Sequence, residues 1–410
     1  MTDSSVPLPQ QEHSAPAAPA RQAALEASTA AQMVAQRVLL LDRARYVDAA
    51  PTYLNPDHGG LVLCGQNAGG RARELRRTGY ESILVIDQAA YETEAATADE
   101  PFALPEGRLF GQDLDDVLHE QLGCGADVAV TPTRYVRPGD ADTLKAVMRA
   151  ARAIERSDVI VIVPVAITWL RDEFLRQLMA VLEGIPHPKA LILGGQYNPL
   201  DAFANAPKNL RYLAQEVAGL GLWRTDLAAF DCIAYGGRFA AIGAGGSVRH
   251  LIPEDEQPQS SSFPGAHLPS VLVPDLLRFS KADWLATRYA NTPPPRCPCA
   301  VCDGSFLDRF NRSDGETRAT AHAHNAATWS SWLPDLFDQQ SPGDRQVWWR
   351  NRCNGAVEAH EAENARIQQP GAFKPSRVLR AWATLPVPQP PSPDMPRSTA
   401  TDSQEDGGPT

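Results

Sequence analysis

One pattern repeats through the middle of the chain, and it constrains the fold more than any other feature. Leu61-Val62-Leu63-Cys64, Ile83-Leu84-Val85-Ile86, Val128-Ala129-Val130, Val159-Ile160-Val161-Ile162-Val163 and Ala190-Leu191-Ile192-Leu193 are short apolar runs, each followed by a helical pattern. The runs are continuously apolar rather than alternating, which is the signature of strands buried on both faces of a parallel sheet. Helices are expected between them, Asp142 to Arg156 and Trp169 to Leu182 among others. Two further strands are expected at Leu222 to Thr225 and Phe239 to Ile242, with a helix from about Leu227 to Tyr235 between them. Roughly eight β/α units can be drawn, and a TIM-type (β/α)8 barrel closes them most economically. A doubly wound open sheet is the alternative, weakened because no phosphate-binding GxGxxG follows the first run.

A chain of 410 residues, 43% of them hydrophobic, has room for two average domains or for one barrel with additions. Residues 1–35, rich in Ala, Pro, Ser and Gln, and residues 386–410, rich in Pro, Ser, Asp and Gly, are expected to be disordered. The barrel is assigned to residues 36–290, and a zinc-binding subdomain with C-terminal helices to residues 291–385. A net charge of −11 argues against a generally basic nucleic-acid-binding surface, although a local patch would be hidden in that sum. The longest apolar runs fall far short of a membrane span, and residues 1–30 carry Asp3, Glu12 and Glu26 without an apolar core of a signal peptide. Seven cysteines, an odd number, suit a reducing compartment, and a cytoplasmic protein is expected.

Three of those cysteines fall within six residues, in Arg296-Cys297-Pro298-Cys299-Ala300-Val301-Cys302. Thiolates this close repel unless a cation sits between them, and the CxCxxC spacing lets all three converge on one tetrahedral ion. The fourth ligand is sought in Ala321-His322-Ala323-His324-Asn325. Positions two apart on a helix face different ways, so only one of His322 and His324 should bind. Cys297, Cys299, Cys302 and His324 are the candidate set for a structural Zn2+. The alternative is a loop with incidental thiols, some of them disulfide-bonded. Cys64, Cys124 and Cys232 read as small buried hydrophobes.

In a barrel, the residues that end the strands face the active-site mouth. Here they are Gln66 and Asn67, Asp87, Thr131 and Thr133, Gly194-Gly195-Gln196, Asp226, and Gly245-Gly246-Ser247. Asp87 directly follows an apolar run. Held against apolar walls it would titrate upward and serve as a base or nucleophile, or it would cap a helix. Gly194-Gly195 would let backbone N–H groups approach a planar ligand, or would make a tight turn. Trp348-Trp349-Arg350-Asn351-Arg352 would stack an unpaired nucleotide, or pack a terminal helix onto the domain.

CxCxxC followed by His-Asn, placed after a barrel, resembles the tRNA-guanine transglycosylase family, whose barrel exchanges a guanine for a 7-deazaguanine through a covalent aspartyl intermediate. The resemblance spans roughly residues 60–340 in the order of elements. It implies Cys297, Cys299, Cys302 and His324 as zinc ligands and Asp87 as the aspartate after the early strand. Where the family reads Asp-Ser-Gly-Gly-Phe-Gln, this chain has Asp87-Gln88-Ala89-Ala90-Tyr91-Glu92. Gly194 and Gly195, with Gln196, match the glycines lining the base pocket, and Thr133 stands where the family has its base-recognising aspartate. The family's nucleophile lies in Phe-Asp-Cys, present here as Phe230-Asp231-Cys232. Helical spacing of Leu227, Phe230, Ile233 and Ala234 instead places Asp231 in a helix, with Asp226 ending the preceding strand. Asp231 is the nucleophile, Asp226 has taken that role, or covalent catalysis has been lost.

The resemblance implies base exchange in tRNA or DNA. Breaking a glycosidic bond to a base needs a carboxylate that captures the oxocarbenium-like carbon, and a second acid that manages the proton on the base. Arg238, Arg249, His250, Arg309, Arg312 and Arg318 are candidates for phosphate contacts. The partners implied are tRNA or DNA and a 7-deazaguanine-type base, with a homodimer or a partner subunit as the protein partners to look for. Two other functions are compatible: a catalytically inactive, zinc-bearing barrel that binds nucleic acid or a partner subunit, and a nucleoside hydrolase.

Overall fold

The structure, a computed structural model, describes residues 23, 25–105, 113–256 and 268–386. Eight parallel strands form the centre: β1 Arg37–Arg43, β2 Leu61–Cys64, β3 Leu84–Asp87, β4 Ala129–Val130, β5 Val159–Ala166, β6 Lys189–Gly194, β7 Leu220–Thr225 and β8 Phe239–Gly243. Their order is β3-β2-β1-β8-β7-β6-β5-β4. A bridge between Val85 and Val128, with the Asp127 N–H donating to the Leu84 carbonyl over 2.9 Å, joins the two ends. The fold is therefore a TIM-type (β/α)8 barrel. Every residue of β2, β5, β6, β7 and β8 is buried, as continuous apolar runs require.

The strand not anticipated is β1. Leu40 pairs with Leu61 of β2 on one side and with Ile242 of β8 on the other, so the ring closes through it. Ahead of it lies a short helix, α1 Thr29–Val34, which belongs to the stretch expected to be disordered. Ala30 and Val34 are fully buried, and the Ser28 hydroxyl caps the helix by accepting from the Ala31 N–H at 3.3 Å. The ordered chain thus begins before residue 36, because those two apolar side chains have a core to enter. The rest of that tail, residues 1–22, and residues 387–410 lie outside the described residues.

The outer helices are α2 Ala68–Arg77, α3 Leu114–Gly123, α4 Ala141–Arg152, α5 Asp172–Gly184, α6 Ala206–Glu216 and α7 Ala228–Ala234. Their starts follow local chemistry. Asp113 opens α3 with a reciprocal capping box to Asp116, and the Asp140 carboxylate accepts from the Thr143 N–H at 3.1 Å at the start of α4.

After β8 the chain leaves the barrel. An antiparallel hairpin, β9 Ser270–Val273 and β10 Arg278–Lys281, precedes α8 Ala282–Arg288, α9 Gly315–Ser330, α10 Leu333–Phe337, α11 Pro342–Arg366 and α12 Arg377–Thr384. A second hydrophobic core holds Val271, Leu285, Cys297, Cys302, Phe310 and Phe373, so β9 and α8, ahead of residue 291, pack with the cysteine cluster. Helices α11 and α12 return to the barrel wall. Trp349 of α11 is fully buried and stacks on Phe230 of α7 with ring centroids 5.5 Å apart, which is the packing role rather than a nucleotide platform. Among the described residues no helix is long and apolar enough to cross a membrane.

Candidate functional site

The CxCxxC loop closes on itself through backbone bonds. The Cys302 N–H donates to the Cys299 carbonyl at 3.0 Å, and the Gly304 N–H returns to the Cys297 carbonyl at 2.9 Å. Asp303 and Gly304 both take positive φ, 46° and 77°, which turns the chain back. Helix α9, capped by Asp314, then delivers His324. Its Nδ1 lies 3.6, 3.4 and 3.3 Å from the sulfurs of Cys297, Cys299 and Cys302. All four donor atoms fall within 4.8 Å of one another. A tetrahedral ion with thiolate and imidazole bonds of ordinary length would separate sulfur from nitrogen by about 3.5 Å. The donors therefore fit one metal ion.

The neighbouring groups fix the ligand geometry. His324 Nε2 sits 2.8 Å from the Leu272 carbonyl, which selects the tautomer that leaves the Nδ1 lone pair for the metal. Asn325 is a clamp on β9: its Oδ1 accepts from the Leu272 N–H at 2.7 Å, and its Nδ2 donates to the Ser270 carbonyl at 2.9 Å. The histidine pair divides as helix geometry demands. His322 turns towards the barrel, where its Nδ1 meets the Asp42 carboxylate at the end of β1, 2.8 Å away.

At the barrel mouth the predicted residues do not converge on one point. Asp87 is buried at the end of β3. Its Oδ2 accepts from the Tyr91 hydroxyl at 2.6 Å and the Trp223 indole N–H at 3.1 Å, while its Oδ1 accepts from the Ala89 N–H at 2.8 Å. Burial pushes its carboxyl pKa up, and the three donors pull the other way. Beside it Glu92 lies between Arg43 and Arg224. Burial opposes its charge, yet the two guanidinium groups hold its carboxyl below the usual range. Arg224 takes φ 51° and donates to the carbonyls of His250 and Ser247 at 3.0 and 2.8 Å. Neither Glu92 nor Arg224 stood out in the sequence, since each looks like an ordinary charged residue in a loop or at a strand end.

Thr133 is fully buried with its hydroxyl 2.8 Å from that of Thr131, which in turn accepts from the Ile162 N–H at 2.9 Å. Gly194 is pressed against Tyr135, where a Cβ would lie 2.8 Å from the ring. The Gly195 N–H donates to the Leu251 carbonyl at 2.8 Å, and Gln196 Nε2 donates to Glu256 at 2.6 Å. Gly194 thus permits packing of the protein's own ring, whereas a Cβ at Gly195 would meet nothing nearer than 3.8 Å.

Asp226 and Asp231 part company. Asp231 is on α7, outside the barrel, paired with Arg211 at 2.7 Å and accepting from the Trp349 indole N–H at 3.0 Å. Asp226 follows β7 and lines a cavity of 340 Å³ between the mouth and the C-terminal helices. Its Oδ1 accepts from the Ala228 N–H at 2.9 Å and its Oδ2 from Asn198 Nδ2 at 3.3 Å. The residue lines this cavity, and burial pushes its carboxyl pKa up. Trp223, which bonds Asp87, also lines the cavity and is the connection between the two acids.

No protein-family model matches the chain, and no curated protein matches it. Among solved structures it is similar to the carboxyl transferase domain of Rhizobium etli pyruvate carboxylase with pyruvate, at 11% identity and a TM-score of 0.32, over 88% of this chain and 64% of that one. It is also similar to dihydrodipicolinate synthase from Aquifex aeolicus, at 9% identity and a TM-score of 0.31, over 78% of this chain and 89% of that one. The chain spans just under two thirds of the carboxyl transferase structure. At these values neither structure bears on what the chain does.

Proposed function

We propose that the chain is a divergent barrel of the tRNA-guanine transglycosylase type, which exchanges a guanine for a 7-deazaguanine in tRNA or DNA, with Asp226 as the carboxylate that meets the sugar. The observation that supports this reading most is the placement of Asp226. It is a carboxyl at the C-terminal end of a barrel strand, lining a 340 Å³ cavity, in a chain whose CxCxxC and His324 come together beside the same barrel. In its ionised form Asp226 would attack the anomeric carbon and break its bond to guanine, which takes a proton from water, and the incoming base would then displace the carboxylate and give its own proton to water. Asp87 acts indirectly, by holding the indole of Trp223, a residue of the strand that lines the cavity. The metal of this proposal is Zn2+, for which three thiolates and one imidazole are a characteristic closed set, and its part is structural.

The test is trapping on a denaturing gel: the full chain is incubated with tRNA, or separately with DNA, and a 7-deazaguanine analogue. A shifted band that is lost in Asp226→Asn and kept in Asp231→Asn supports the reading and names the polymer.

A second reading has its own observation. Strand β8, Phe239 to Gly243, carries no acid, and Asp231 of the Phe-Asp-Cys triplet is held by Arg211 on the barrel's outer face. A barrel that binds nucleic acid or a partner subunit without chemistry is consistent with that. Binding of either polymer with no covalent band establishes it.

A further inference from the structure

The cavity beside Asp226 has an unusual charge balance. Arg249, Arg278 and Lys374 line it together with the single carboxylate of Asp226. Arg224 lines it too, but is engaged by Glu92. Among the described residues, none of Arg249, Arg278 and Lys374 forms an ion pair with a carboxylate.

Arg249 is the built part of the site. It is buried, and its guanidinium stacks over the Phe279 ring with 3.4 Å between its carbon and the ring centroid. Its bonds go only to neutral acceptors: the carbonyls of Gly243 at 3.0 Å and Ala244 at 2.7 Å, the Ser270 carbonyl at 3.4 Å and the Ser270 hydroxyl at 3.2 Å. They hold the guanidinium rigidly, while the carboxylates of Asp226 and Asp42 attract it from beyond ion-pair distance. Burial pushes its pKa down to about 9, which still leaves it protonated at neutral pH. Arg278, half-buried, lies over the Trp284 ring at 4.7 Å and is likewise held without an anion. A buried cation held without a counter-charge is costly unless an anion arrives to share its field.

Three cations line the cavity against one lining carboxylate, and Asp42, which does not line it, offsets part of the charge of Arg249. A phosphate monoester carries about −1.5 to −2 at neutral pH and so meets a cluster of cations with more charge than a carboxylate ligand does. The lining also includes Leu200, Leu227, Leu276 and Val378, which offer apolar surface for an uncharged organic part. The cavity is roofed by the segment from Lys374 to Trp382, which is tied down where Arg211 donates to the Trp382 carbonyl at 3.1 Å. At 340 Å³ it sits at the small end of ligand pockets, roughly 300–1,000 Å³. That is room for one nucleotide-sized molecule.

We propose that this cavity binds a free nucleoside monophosphate, with Arg249, Arg278 and Lys374 as its phosphate subsite and the apolar surface against its base. The proposal shares a cavity with the base-exchange reading but needs none of its chemistry. A free nucleotide here would occupy the place of a substrate sugar beside Asp226.

Calorimetric titration of the full chain with AMP, GMP, CMP and UMP, with the four matching nucleosides and with inorganic phosphate, tests it. At least one nucleotide should bind about tenfold more tightly than its nucleoside and than inorganic phosphate, an advantage that falls with added salt. Arg278→Gln combined with Lys374→Gln, which leave the buried Arg249 contacts intact, should erase the advantage and leave nucleoside binding unchanged. The proposal is overturned if no nucleotide outbinds its nucleoside, if inorganic phosphate binds as tightly, or if the advantage survives in the double variant. Absence of a covalent complex in the trapping experiment would remove base exchange and leave these binding outcomes untouched.

Discussion

Asp42, the acid near the end of the first barrel strand, and His322, on the helix that carries the metal-binding histidine, lie 2.8 Å apart although 280 positions separate them. Both are buried, so the contact is one of the polar pins between the barrel and the C-terminal part, beside the bond from Asn325 to the Ala244 carbonyl. Two residues further along the same helix, His324 serves the cysteine cluster. One turn of α9 therefore registers the metal loop against the barrel mouth.

Asp42→Ala removes the acceptor and leaves the His322 ring nitrogen buried with nothing to bond. A loss of about 1–3 kcal/mol is expected, measured as a lower urea midpoint at unchanged metal content. Asp42→Asn, which keeps an oxygen acceptor, should recover most of it. Equal midpoints for Asp42→Ala and the wild type would show that the pin does not stabilise the fold.

Cys299→Ser takes one thiolate from the cluster and should release the metal, read by elemental analysis as a fall from one ion per chain. The second core, with Cys297, Cys302 and Phe310 packed together, would then loosen, and faster amide exchange is expected over β9 and α9. A strong chelator acting on the wild type should reproduce both effects. Full metal content in Cys299→Ser would exclude that thiol as a ligand.

Much of this was legible in the sequence because burial on both faces writes itself into composition. Strands β2, β3, β5 and β6 are apolar runs whose polar residues, Asp87 and Lys189, stand only at their ends, and CxCxxC needs little context to be read as a ligand set. Strand β1 was hidden because only Val38 to Leu41 are apolar, between Arg37 and Asp42, beside a stretch that resembles a tail. The mouth was harder still. Thr133, Gly194 and Gly195 end strands as expected, but their surroundings are the protein's own Thr131, Tyr135 and Leu251, contacts that arise from loops far along the chain. The Glu92–Arg224 pair joins residues on opposite sides of the ring, and no local pattern announces it. Asp231 was the reverse case: helical spacing around it already indicated α7, and its partner Arg211 sits on the adjacent helix α6.

That pairing makes Asp231 a structural acid. Asp231→Asn would leave Arg211 buried beside a neutral group, and breaking such a pair costs about 3–5 kcal/mol. The expected result is a marked fall in thermal midpoint, with any covalent trapping retained by the folded protein at low temperature. Unchanged stability together with loss of trapping would return the nucleophile to the Phe-Asp-Cys triplet.

Asp226 should announce itself in the pH dependence of stability. Burial raises its carboxyl pKa above the ordinary value near 4, so the folded chain keeps this proton to a higher pH than the unfolded chain does. Its favourable contribution is whole below the unfolded pKa and is lost as pH rises through the folded one, so this group makes stability fall with rising pH across that window. Asp87 and Asp231, also raised by burial, add slopes of the same sign, and only the difference between wild type and Asp226→Asn isolates Asp226. Urea midpoints compared from about pH 4 to about pH 8 should show the variant gaining on the wild type as pH increases. Trapping should run the other way in the wild type, rising over the same window, because only the ionised carboxylate attacks. A constant offset between the two midpoint curves would mean that Asp226 titrates as an ordinary surface acid, and the cavity carboxyl would lose its claim to the chemistry.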